Sequence, residues 1–209
     1  MRILCIGDSN TWGYVPGTGA RHAHRWTRVL AGLMPQAEII EEGYSGRTLT
    51  APDLERRERC GMDYLKMLLM SHKPVDCVVL MLGTNDLKSF YHASAHSIAN
   101  GIREYLKVIL NPYQWEGFSV PKVLVVSPIL LGEDLPRREG PYGIWDENSV
   151  LQARGLAGAI APICTQYGAE FLDAAQFAQP SEVDCIHMDQ ENHARLAQAI
   201  FEKLLQMPL

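Results

Sequence analysis

Short apolar runs alternate with segments of helical periodicity along this chain. Strands separated by helices pack as a mainly parallel sheet covered on both faces, so this alternation restricts the fold more than any other feature. Apolar runs at residues 2–6, 38–41, 75–82, 122–127 and 170–172 predict five strands. The 75–82 run is continuous, as in a strand buried on both faces. Between the strands, Trp26, Val29, Leu30 and Leu33 recur at helical spacing within 23–34, which Pro35 stops. Residues 53–71 carry Leu54, Tyr64, Leu65, Leu68 and Leu69 and are expected to end helically, with a weaker, charged first half at 55–59. Ser94 is a candidate N-cap for a helix with Ile98, Ile102, Leu106 and Ile109 on one face, ended by Asn111 and Pro112. Residues 147–167 and 190–206 predict two further helices. The expected fold class is α/β: a three-layer, flavodoxin-like α/β/α sandwich on a mainly parallel five-stranded sheet. It is expected to form a single domain over residues 1–209. Residues 131–144, rich in Gly, Pro and charge, are expected to form a long loop near the site or a lid.

Composition closes off several classes. A net charge of -5 lacks the basic footprint of a nucleic-acid binder. No run approaches the ~20 apolar residues that span a bilayer, so no membrane partner is expected. The apolar stretch of the opening MRILCIGDS is too short for a signal peptide, and a cytoplasmic location is expected. The five cysteines are widely spaced with no CxxC, which suits small buried hydrophobes in a reducing compartment. A dinucleotide site would need Gly-x-Gly-x-x-Gly after the first strand, where Gly7 is followed by Asp8 and Ser9. The Gly-x-Ser-x-Gly elbow of the α/β-hydrolases is absent.

In open parallel sheets, ligands collect beyond the carboxyl ends of the strands. Gly7-Asp8-Ser9-Asn10-Thr11 follows the first strand, Gly43 through Thr48 the second and Gly83-Thr84-Asn85-Asp86 the third. Asp184-Cys185-Ile186-His187 precedes the last helix. A serine hydroxyl becomes nucleophilic when a base takes its proton. His187 can be that base for Ser9 if Asp184, three residues earlier, holds its other ring nitrogen. The oxyanion formed on attack needs preorganised donors, for which the backbone N–H groups of Ser9 and Gly46 and the Asn85 amide are candidates.

GDSNTWG, GYSGRT, GTND and DCIH resemble the four signature blocks of the SGNH (GDSL-like) hydrolases, a resemblance that runs from Gly7 to His187. Within that family, GDSNTWGYVP, RWTRVL, IIEEGYSGRT, VVLMLGTNDLK and KVLVVSP are most similar to the bacterial arylesterase/acyltransferase group. The resemblance implies Ser9 as nucleophile, Asp184 and His187 as its partners, and Ser9, Gly46 and Asn85 as oxyanion donors. It implies a small-molecule ester substrate, acyl transfer to alcohols as a further activity, homo-oligomeric assembly, and neither metal nor organic cofactor. Where the family usually has leucine after the nucleophile, this chain has Asn10, a change expected to alter pocket polarity and leave the chemistry intact.

Other residues have plainer expectations. Asp8 and Asp86 are expected to tie loops. Trp12 and Tyr44, beside the reactive loops, are candidate aromatic walls of a substrate pocket. His22, His24 and His193 are expected to be solvated. His92 and His96 have the spacing of a helical metal pair but lack a third ligand. The rival functions are a hydrolase of a specialised acyl substrate (acetylated sugar, thioester or lysophospholipid) and a non-catalytic ligand-binding domain of the same fold.

Overall fold

The computed structural model describes residues 1–53, 56–139 and 143–208. Among these residues, five strands form one sheet: β1 (Arg2–Gly7), β2 (Glu38–Gly43), β3 (Cys77–Met81), β4 (Lys122–Ser127) and β5 (Glu170–Asp173). Their order is β2-β1-β3-β4-β5, and every neighbouring pair is parallel. This is the doubly wound, flavodoxin-like arrangement expected from the sequence.

Among the described residues, six α-helices complete it: the single turn α1 (Ser9–Trp12), then α2 (Trp26–Leu33), α3 (Gly61–His72), α4 (Ala95–Ile109), α5 (Glu147–Tyr167) and α6 (Gln190–Gln206). Successive strand side chains point to opposite faces, so each inner strand feeds two cores. Leu4, Ile6, Val78, Leu80, Val123 and Val125 pack under α3, α4 and α5. Ile3, Cys5, Cys77, Val79, Leu124 and Val126 face Trp26 and Leu30 of α2 and Leu196 and Ile200 of α6. All five residues of β3, the central strand, are buried. The edge strand β2 is richer in charge, and its Glu41 carboxylate pairs with Arg21 at 3.0 Å and Arg25 at 2.6 Å. Charges on an edge discourage pairing with another chain.

Expected and observed boundaries differ mainly at helix starts. The 23–34 helix begins only at Trp26. The segment expected over 53–71 divides into a 3-10 turn, Arg57–Arg59, and α3; residues 54–55 lie outside the described residues. Ser94 caps α4 through a reciprocal box with Ser97. Part of the 131–144 loop, residues 140–142, also lies outside the described residues. Its first half is anchored: Leu131 and Leu135 are buried, and Gly132 N–H donates to the Cys185 carbonyl at 2.8 Å. The Arg138 guanidinium donates to the carbonyls of Glu182 and Val183. This half is therefore a brace on the segment carrying Asp184. All five cysteines are buried and free. Among the described residues, no helix is long and apolar enough to cross a membrane.

Candidate active site

The chain reverses its direction of sheet growth between β1 and β3, which opens a crevice at their carboxyl ends. Ser9 stands just beyond β1 and Asn85 just beyond β3. Asp8 shapes the first turn by accepting the Asn10 N–H at 2.9 Å, and Gly13, at φ +89°, closes it. Gly43 sits so close to this turn that a Cβ there would lie 2.2 Å from the Trp12 nitrogen. The β2 loop can approach the serine turn only because residue 43 has no side chain.

Ser9 Oγ lies 2.9 Å from His187 Nε2, and His187 Nδ1 lies 2.7 Å from Asp184 Oδ2. The other Asp184 oxygen accepts the N–H groups of Ile186 at 3.0 Å and His187 at 2.9 Å. Burial pushes the Asp184 carboxyl upward, but its hydrogen bonds to His187 and these amides outweigh that and hold it below the usual carboxylate range. A carboxylate beside Nδ1 places the ring proton there, which leaves Nε2 free to accept from the serine hydroxyl. Tyr14 covers the imidazole at 4.3 Å between ring centroids. It lies two residues past Trp12, brought under the histidine by the left-handed turn at Gly13, and the sequence motif offered no signal for it.

Asn10 departs from its expected role. It is buried, and its amide donates to the Ile186 carbonyl at 3.2 Å while its oxygen accepts the Met188 N–H at 3.0 Å. Both partners flank His187. The side chain thus joins the serine turn to the histidine loop, and its polarity serves that joint. Asn10→Leu strands a buried carbonyl and a buried N–H, each costing roughly 1–3 kcal/mol. Urea unfolding is expected to show a loss of about 2 kcal/mol or more, with kcat reduced because His187 loses its seat. Stability and rate within error of the wild type would remove Asn10 from this role.

The three candidate oxyanion donors have unused hydrogen-bonding capacity. Among the described residues, the N–H groups of Ser9 and Gly46 donate no hydrogen bond. Asn85 Nδ2 donates to the Arg47 carbonyl at 3.1 Å, which leaves its second hydrogen available. Gly46 has φ +85°, and a Cβ there would lie 2.5 Å from Arg59 Nε, so both conformation and space require glycine. Asp86 ties the two donor loops together by accepting the Leu49 N–H at 3.0 Å with both oxygens. Burial raises its pKa to about 7. Buried Arg47, which the sequence reading did not single out, donates to the carbonyls of Gly7 and Glu42 and so links the ends of β1 and β2.

Trp12 and Tyr44, the candidate aromatic walls, each have a polar partner, and the expectations for His193 and His92 are corrected. Trp12 is engaged by Arg21, whose guanidinium lies 5.3 Å from its ring centroid. The Tyr44 hydroxyl bonds Glu58 at 3.2 Å, and Arg47 lies over its ring. A cavity of about 670 Å³ lies beside the Gly46 and Asn85 loops, with Phe90 and Ile144 as its apolar walls. His193 is fully buried, accepting the Trp26 N–H at 3.3 Å, and burial lowers its pKa to about 3. It shares the apolar stripe of Leu196, Ala197 and Ile200 on α6, a periodicity that foretells burial. His22 is half-buried against it, while His24 is exposed. His92 sits at φ +48°, closing a turn before α4 begins, so it shares no helix with His96. Among the described residues, no group of three or more His, Cys, Asp or Glu side chains could hold a metal.

A family model described as "GDSL-like Lipase/Acylhydrolase family" matches residues 5–195. Among solved structures, the M. smegmatis aryl esterase is 35% identical with a TM-score of 0.90, over 98% of each chain. Est24, a carbohydrate acetylesterase from Sinorhizobium meliloti, is 34% identical with a TM-score of 0.91, also over 98% of each chain. A carbohydrate acetylesterase family member from the same organism is 31% identical with a TM-score of 0.90, over 98% of this chain and 97% of that one. No curated protein matches the sequence.

Proposed function

The chain belongs to the GDSL-like lipase/acylhydrolase family and is a serine esterase acting on small-molecule esters, and from that premise we propose that it works through an acyl-enzyme on Ser9. The observation that carries this reading is the continuous hydrogen-bond line from Ser9 Oγ through His187 to Asp184. Ser9 Oγ attacks the ester carbonyl as His187 Nε2 takes its proton. Asp184 fixes the ring and stabilises the imidazolium. The oxyanion is met by the N–H groups of Ser9 and Gly46 and by the Asn85 amide. His187 then protonates the departing alcohol, and a water activated by the same histidine releases the acid.

The test is hydrolysis of p-nitrophenyl esters from acetate to octanoate, with mass analysis of acid-quenched enzyme. An acyl adduct on the Ser9 peptide is expected, and turnover without any adduct there would sink the reading. Asn85→Ala is expected to lower kcat about 10²- to 10³-fold with little change in KM, as befits a donor used mainly in the transition state. A change in KM alone would assign Asn85 to ground-state binding.

The finer reading is short-chain acyl or aryl esters, with transfer to alcohols when the alcohol outcompetes water at the acyl-enzyme. The 209 residues act as one hydrolase domain, working as a cytoplasmic homo-oligomer. Acetylated carbohydrate is the second reading, supported by the names of the two S. meliloti relatives. Release of acetate from acetylated xylose at a rate above that for p-nitrophenyl acetate would favour it.

A further inference from the structure

The cavity beside the proposed oxyanion loops has a lining that ester hydrolysis alone does not explain. It encloses about 670 Å³, within the size range of small-molecule sites. Lys88, three residues after Asn85, lines it and is only 6% exposed. Its ammonium makes no hydrogen bond and no ion pair among the described residues. The stem of Lys88 is buried while its ammonium keeps access to the cavity, where it has no protein partner among the described residues.

The neighbouring carboxylates are engaged elsewhere. Asp53 accepts from Arg59 Nη1 at 3.0 Å and from the Arg56 N–H at 2.9 Å. Asp86 serves the Leu49 amide and Asp8 the Asn10 amide. Arg59 adds a second cation to the wall, and its Nε and the Tyr91 hydroxyl have no hydrogen-bond partner. Phe90 and Ile144 supply the apolar remainder. Asp53 also lines the cavity, but its charge is matched by Arg59 at 3.0 Å, which leaves Lys88 as the excess cation in a wall completed by Phe90 and Ile144 and suits an organic anion. Its position follows from two contacts: Arg59 packs on Gly46, and Lys88 continues the turn that carries Asn85.

We propose that this cavity recognises a carboxylate-type anionic group carried by the substrate, with Lys88 as its countercharge, so that the preferred substrate class is an ester with one charged end. The catalytic part of this proposal rests on the serine-esterase reading; the binding part does not. The charge can sit on either half of the ester. The acyl arm of the test compares p-nitrophenyl monoesters of succinate, glutarate and adipate with neutral esters of equal length. The alcohol arm compares 4-carboxyphenyl acetate with phenyl acetate.

In one arm, kcat/KM is expected to favour the charged ester about 10- to 100-fold, the scale of one charge-assisted contact. Lys88→Met is expected to abolish that preference and Lys88→Arg to retain part of it. No preference in either arm, or a preference that survives Lys88→Met, overturns the proposal. If the wild type cleaves no ester, the esterase reading fails and calorimetry decides the pocket. Saturable binding of monomethyl glutarate or 4-hydroxybenzoate that is lost in Lys88→Met then supports it, and no binding overturns it. The melting temperature of Lys88→Met is expected to match that of the wild type, since the ammonium bonds no protein group among the described residues and methionine keeps the packing of the buried stem. A drop of several degrees marks a structural lysine and counts against recognition.

Discussion

Ser9→Ala is expected to lower kcat by about 10⁶-fold and to abolish covalent labelling by a fluorophosphonate, while the protein stays folded. The size follows from the arrangement, since no other side chain stands where Ser9 Oγ stands, 2.9 Å from His187 Nε2. Removing the hydroxyl leaves the base with nothing to activate except water, and the remaining help comes from the oxyanion donors and binding. The fold should tolerate the change. Ser9 opens a single helical turn whose cap is made by Asp8, and neither that cap nor the Gly13 closure uses the serine hydroxyl. Labelling and turnover are best read on the same samples, with circular dichroism as the control. Labelling that persists in Ser9→Ala would place the nucleophile elsewhere and dissolve the proposed mechanism.

The sheet was legible in the sequence because hydrophobic burial dictates it. The central runs are continuous where both faces are covered, and Glu enters only in the edge strands β2 and β5. The polar segments were legible because a parallel sheet gathers them at one end, so position after a strand carried information beyond residue type. What escaped was long-range and polar. Nothing local says that Asn10 reaches residues 186 and 188, or that Arg47 reaches the carbonyl of Gly7. Such bonds satisfy backbone groups left over where loops meet, and sequence spacing does not encode which loops meet. The misreading of His193 has a different cause. Residue type alone favours a solvated imidazole, whereas its place on the apolar stripe of α6 buries it in the neutral form. The cavity beyond Asn85 carries no local signal, because 3-10 turns displace Phe90, Tyr91 and Lys88 from any simple periodicity.

Asp184→Asn is expected to reduce kcat by about 10⁴-fold with the melting temperature nearly unchanged. The two Asp184 oxygens have separate duties, and the substitution divides them. Oδ1 holds the Ile186 and His187 amides, a task the amide oxygen of asparagine performs equally well, so the loop keeps its shape. Oδ2 receives the proton on His187 Nδ1 at 2.7 Å. An NH₂ group in that position is a donor, and two donors cannot face each other in a fully buried site. The imidazole must then carry its proton on Nε2, where it donates to Ser9 Oγ and can no longer accept from it. The serine stays in place but loses its base. Fluorophosphonate labelling should therefore become slow without disappearing, unlike the complete loss in Ser9→Ala. Asp184→Ala is the contrasting variant: it releases the two amides as well, and is expected to lower the melting temperature along with the rate. Near-normal turnover in Asp184→Asn would mean that the ring is oriented by other contacts, with the Tyr14 face and the Asn10 joint the next to remove.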